Sequence, residues 1–319
     1  MSENPMVLPN IVAHADWSTD AAKRWRSFAF FQNGVYALQA PALVGPVNVY
    51  FPLLLQLAGD SGRILAGFDF PIGLPVQYAE LAEIADFLPM LPEFGNGLWA
   101  AFYNVAETHG QISIQRPFYP RAPGGRLQTH LLVAMGLQNI NQLRRQCELP
   151  TPTRNAACPL FWTLGGNQVG RAAISGWRDL LAPSLQAHAA QMAIWPFDGH
   201  WRQLLSTRRL VVVETYPKDE YAHLQFPANG WSKRDQQHRI ARAMQINQWI
   251  QQRPQRVVLA PDLAAEINNG FGADADGEDR FDAVVGLLAM LSVVLGDRTD
   301  GAPPAPAIQN IEGWIFGQQ

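Results

Sequence analysis

Three short, mainly apolar runs, "NIVAHAD" (10–16), "RILAGFD" (63–69) and "RLVVVE" (209–214), each end in a carboxylate, and a turn follows each one. Runs of this length, rich in β-favouring residues and bounded by turn signals, read as buried strands. A carboxylate carried to the end of such a strand needs a partner, because burying it alone costs several kcal/mol. In sheets whose strands alternate with helices, functional sites lie outside the carboxyl ends of the strands. If the three strands run parallel, Asp16, Asp69 and Glu214 converge on one edge.

The stretches between these runs fit an α/β fold with a mixed sheet. "RWRSFAFFQNGVYALQAPALV" (24–44) reads as a hairpin around Asn33-Gly34. "NVYFPLLLQLAG" (48–59) suits a helix closed by Gly59, with Pro52 confining its start to about that point. Residues 233–253 read as one amphipathic helix, and 281–295 as the last core helix. Residues 90–204 are different in character, rich in Pro, Gly, Arg and aromatics. They are expected to form an insertion of helices and loops packed on a core made by 1–89 and 205–319. Trp162, Trp177, Trp195 and Trp201 fall in that segment and are expected to build its small core.

Like charges gathered at one edge repel and raise each other's pKa. A divalent cation is the simplest remedy, and hard oxygen ligands suit Mg²⁺ or Mn²⁺. A fourth contribution comes from "DADGEDRFDAVVGLLAML", where Asp279 and Asp282 are neighbours on one helical face. That face continues through Val285 and Ala289, so Asp282 is expected to point inward. Each acid also has a use without a ligand. Asp16 and Asp69 can cap the turns after them, and Asp279 can sit favourably on the helix dipole. Glu214, after three valines, has no turn to account for it.

Composition narrows the function classes. The 319 residues are 48% hydrophobic, enough for a large core, and carry a formal charge of −3. That balance excludes an extended basic surface for long duplex nucleic acid and leaves room for a short, local contact. Cys147 and Cys158 have no CxxC spacing and are expected to be buried thiols. The start lacks the features of a signal peptide, and "DAVVGLLAMLSVVLG" (282–296) is too short to span a bilayer. The expectation is a soluble cytoplasmic protein with no membrane partner.

"GGNQVGRA" (165–172) imitates a P-loop but has Arg171 for the lysine and Ala172 for the hydroxyl residue. Nucleotide hydrolysis by that route is not expected, although a glycine-rich turn can still offer N–H groups to a phosphate. His14 reads as a structural strand histidine.

"HADWS", "FDFPIGLP", "VVETYP…Y…SKR…R" and "EDRFDAVVGLLAML" resemble, in order, the motifs of a bacterial family of unknown function with a predicted ribonuclease H-like fold. "LFWTLGGNQVGRAAISGW", "WPFDG" and "EGWIFG" resemble a branch of it sometimes labelled with molybdopterin guanine dinucleotide synthesis. The resemblance implies a three-stranded meander followed by helix-separated parallel strands. It implies Asp16 on the first strand, Asp69 on the fourth, and Asp282 with Asp279 on the closing helix, as metal-binding acids. Glu214 is an additional acid that departs from the simplest nuclease pattern.

The expected chemistry is metal-dependent phosphodiester hydrolysis, with Asp16, Asp69, Glu214 and Asp282 in the site. Lys233, or Arg234 beside it, would offset charge on the transferring phosphoryl group. The substrate would be short or structured nucleic acid or a phosphorylated small molecule. The alternatives are a nucleotide- or molybdopterin-type ligand-binding protein or transferase on the same fold, and a non-catalytic binding module.

Overall fold

The computed structural model of the chain describes residues 7–151, 154–165 and 169–319. Among them, eight strands form one mixed sheet: β1 Ile11–Asp16, β2 Trp25–Gln32, β3 Val35–Leu38, β4 Ala42–Leu43, β5 Ile64–Phe68, β6 Met192–Ile194, β7 Leu210–Glu214 and β8 Val257–Leu259. The order is β6-β7-β5-β1-β2-β3-β8, with β4 paired to β2. β1, β5, β7 and β6 run parallel, while β2 is antiparallel to β1 and to β3. The fold is α/β, as the alternation of runs implies.

The β2–β3 turn follows from Asn33-Gly34, whose φ values of 51° and 83° suit a two-residue hairpin loop. Every residue of β1, β5 and β7 is buried, so both faces of the central sheet are covered. On one face, Ala13, Ala15, Ala66, Phe68 and Val212 meet the helix Val47–Ala58 and aromatics such as Phe94, Phe102 and Trp177. On the other, Val12, Leu65, Val211 and Val213 meet the helix Gly277–Val294. That helix has fifteen of its eighteen residues buried, which explains its nearly uninterrupted apolar sequence.

Two glycines let the closing helix approach. A Cβ on Gly286 would overlap the His14 ring, and one on Gly67 would overlap the Met290 sulfur. The helix therefore lies directly over β1 and β5, with its first turns above their carboxyl ends.

Several elements differ from expectation. The first helix begins at Val47, five residues before Pro52. Pro52 and Asn48 both lie on the exposed side, so the carbonyl that Pro52 cannot satisfy meets solvent. Residues 233–253 form two helices, Gln236–Ile240 and Ala243–Gln251, the first capped by Asp235 accepting from the Gln237 and His238 N–H groups. β6 lies inside the expected insertion yet belongs to the sheet. Trp195 and Trp201 pack with Phe316 in the core on the closing-helix side, whereas Trp177 joins the opposite core. Both cysteines are free; Cys147 is buried and Cys158 partly so. No helix among the described residues is long and apolar enough to cross a membrane.

Candidate functional site

Asp16 is the last residue of β1, and Asp69 follows directly on β5. The parallel register pairs Ala15 with Phe68, so the next row sets Asp16 beside Asp69. Both point to the face covered by the closing helix, the face of Val12 and Leu65. The two carboxyl groups lie side by side, and the Trp17 N–H donates to Asp69 Oδ1 at 2.6 Å. Like charges so placed do not readily ionise together, so the pair retains a proton.

The electrostatics agree. Burial pushes Asp69 up to about 7, with the Asp282 charge adding to it, against the Trp17 N–H, the adjacent Asp16 carboxyl and the Lys233 ammonium. Asp16, buried, is pushed well above the usual carboxylate range by burial first, then by Asp69 and Asp282.

Asp282 enters from the second turn of the closing helix and is buried. Tyr221, on the helix Pro217–His223, donates its hydroxyl to Asp282 Oδ1 at 3.0 Å, and the Lys233 ammonium bonds Oδ2. Burial alone would lower the Lys233 pKa, but the Asp282 and Asp16 carboxylates outweigh it and raise it. The ammonium is therefore fully charged at neutral pH. Asp279, one turn earlier and half-buried, is pushed up to about 6 by burial and by its neighbour Glu278. Arg234 instead reaches toward Glu278, 3.6 Å away, on an exposed surface.

The loop that carries Lys233 is held from below. Arg239, buried, donates to the carbonyls of Gly270 at 2.7 Å and Gly272 at 2.6 Å, and to that of Lys233. Tyr221 and Arg239 are the residues a search for carboxylates passes over. Both lie in the "Y…SKR…R" spacing, which is the one sequence signal that marks them.

Glu214 does not join the cluster. β7 pairs Glu214 with Phe68, one row before Asp69, so its side chain falls on the opposite face with Leu210 and Val212. There it forms a two-point ion pair with buried Arg145, at 2.6 Å to each oxygen, and accepts the Ile72 N–H at 2.6 Å. Arg145 also bonds Glu148 at 2.8 Å and the carbonyls of Ile72 and Glu312. The position that does share a row with Asp69 is Thr215, which bonds His14 Nε2 at 2.8 Å. His14 Nδ1 lies 3.0 Å from the Ala283 carbonyl, so Nδ1 carries the proton and Nε2 accepts from Thr215. Burial lowers His14 to about 4 and keeps it neutral, a structural role.

Comparison with protein-family models, curated proteins and solved structures yields no match for this chain. The geometry alone must carry the reading. Asp16, Asp69, Asp282 and Asp279 interact as one electrostatic group, and Lys233 is the cation in direct contact with it. Among the described residues, no group of three or more His, Cys, Asp or Glu side chains is arranged so that it could hold a metal ion. In the P-loop-like stretch, residues 166–168 lie outside the described residues. Arg171 there donates to the carbonyls of Thr163 and Arg121.

Proposed function

We propose that this chain is a divalent-cation-dependent phosphodiester hydrolase with a ribonuclease H-like core, acting on short or structured nucleic acid or a phosphorylated small molecule. The observation that carries the reading is the convergence of Asp16, Asp69 and Asp282, from two strand ends and a helix, on one side of the sheet edge. The β1–β2–β3 meander followed by parallel β5 and β7 supports the fold name.

Carboxylate donors suit Mg²⁺ or Mn²⁺, so the donor chemistry fits, with Asp16, Asp69 and Asp282 as ligands and Asp279 at the rim. When bound, such a cation activates a water and takes up charge on the leaving oxygen. The chain's own groups prepare that state. The proton retained by Asp16 and Asp69 must leave, because ligating carboxylates are ionised. Lys233 must release Asp282 Oδ2, and its freed ammonium can then face a phosphoryl oxygen. Tyr221 keeps the other oxygen of Asp282 oriented. Glu214 takes no part, since Arg145 and the Ile72 N–H occupy both of its oxygens.

Calorimetric titration with Mn²⁺ at pH 8, on the wild type and on Asp16→Asn, tests the reading alongside hydrolysis of bis-p-nitrophenyl phosphate. The wild type should bind the cation and hydrolyse the diester only in its presence. Asp16→Asn should lose about tenfold or more in affinity, as expected for one lost contact of about 1.4 kcal/mol. Equal absence of binding in both ends the proposal.

The adjacency of the Asp16 and Asp69 carboxyls, both with raised pKa values, favours one further reading, in which the pair serves as general acid and base without a cation. Hydrolysis that persists in EDTA and disappears in Asp69→Asn selects it.

A further inference from the structure

A cavity of about 550 Å³ opens beside the loop that follows Asp16. Arg116, Arg121, Arg171 and Arg178 line it, against one carboxylate, Asp179, among its described lining residues. For a chain whose formal charge is −3, this is a local concentration of positive charge. The size falls in the range of small-ligand sites.

How the arginines are held matters more than their number. Arg116 donates to the carbonyls of Asn104 at 3.0 Å and Val105 at 3.1 Å. Arg171 donates to the carbonyls of Thr163 at 3.2 Å and Arg121 at 2.8 Å. Neutral carbonyls fix a guanidinium in place without cancelling its charge. Arg121 pairs with Glu107 and Arg178 with Asp179, but their side chains are 70% and 54% exposed, where such pairs are weak and can be exchanged. The wall also includes Tyr103 and Ile174 beside these arginines.

The cavity is joined to the acidic cluster through one residue. The Trp17 backbone N–H holds Asp69, and its indole N–H donates at 2.9 Å to Ser175 Oγ, which lines the cavity together with Thr19. The two sites therefore flank Trp17 at the same sheet edge.

We propose that the arginine cavity binds a second phosphate of the substrate, next to the phosphodiester presented to Asp16 and Asp69. The substrate is then nucleotide-sized and carries a phosphate beyond the bond to be cleaved. Planar guanidinium forks match phosphate oxygens. This inference rests on the hydrolase reading for the bond cleaved, but not for the binding itself.

The test uses the full chain in EDTA with three probes: inorganic pyrophosphate, a dinucleotide bearing a 5′-phosphate, and the same dinucleotide without it. The wild type should bind pyrophosphate and prefer the phosphorylated dinucleotide by about tenfold or more. Arg121→Gln/Arg178→Gln changes only exposed side chains and should cut that preference to about threefold or less. Asp16→Asn should keep the preference intact. Equal affinity of the wild type for both dinucleotides, or a preference undiminished in the double arginine variant, overturns the cavity assignment. A preference that persists while no diester is hydrolysed with Mn²⁺ leaves the cavity assignment standing and removes the hydrolase reading.

Discussion

Asp69 keeps its proton up to about pH 7 because its carboxyl is largely buried and faces the Asp282 charge. An ordinary aspartate in the unfolded chain loses that proton near pH 4. Between those values the folded state binds the proton that the unfolded state releases, so stability falls as pH rises from about 4 to 7. Asp69→Asn removes the titration and replaces the retained proton with an amide N–H facing Asp16, while its oxygen still accepts from Trp17. In EDTA at pH 8 the variant should be more stable than the wild type by about 1–2 kcal/mol, a figure reduced for the partly solvated carboxylate. At pH 5 most of that gain should vanish. Denaturant titration at both pH values checks it; an equal gain at both contradicts the retained proton. Asp16, Asp69 and Asp282 were legible as a group because each ends an apolar run or begins an apolar helix face. Glu214 was misleading for a definite reason. Alternation along one strand says which residues share a side, but only inter-strand register says which side, and Glu214 aligns with Phe68 rather than Asp69.

At the scale of elements, Glu214 and Arg145 cross-link β7, the turn after β5, the segment around Glu148 and the chain near Glu312. Removing one partner of a fully buried pair leaves an uncompensated charge and costs about 3–5 kcal/mol. Glu214→Gln should therefore lower the midpoint of urea unfolding strongly, while the folded fraction keeps its Mn²⁺ affinity within about twofold, since a pair on the far face adds no ligand. The opposite pattern, intact stability with lost affinity, would return Glu214 to the site. Local pattern reading worked where one signal dominated, as at Asn33-Gly34 and in the closing helix. It failed where a solvent-facing position relaxed a rule. Pro52 is tolerated in mid-helix because the freed carbonyl is wet, and the 233–253 periodicity conceals a start at the Asp235 cap and a break at residues 241–242. Lys233 stands just before that cap, which is what frees it to reach Asp282.

Across the whole molecule, the central sheet was foreseeable and its edges were not. β6 and β8 are three residues each, too short for periodicity to register, and both are recruited by pairing with neighbours already in place. The consequence for function lies in the distribution of charge. Arg116, Arg121, Arg171 and Arg178 form a compact group in one cavity, a number that suits two or three phosphates neutralised together. For single-stranded ligands the logarithm of affinity falls with the logarithm of salt at a slope of about −0.7 per phosphate contact. The phosphorylated dinucleotide should therefore show a slope of about −1.5 to −2. Lengthening the strand to about 20 nucleotides should leave that slope unchanged, because the added phosphates lie beyond the four arginines that line the cavity. Fluorescence anisotropy over a salt series measures both slopes. A slope that steepens to about −4 or beyond with length would require a continuous basic path, and the substrate would then be a long strand rather than a nucleotide-sized one.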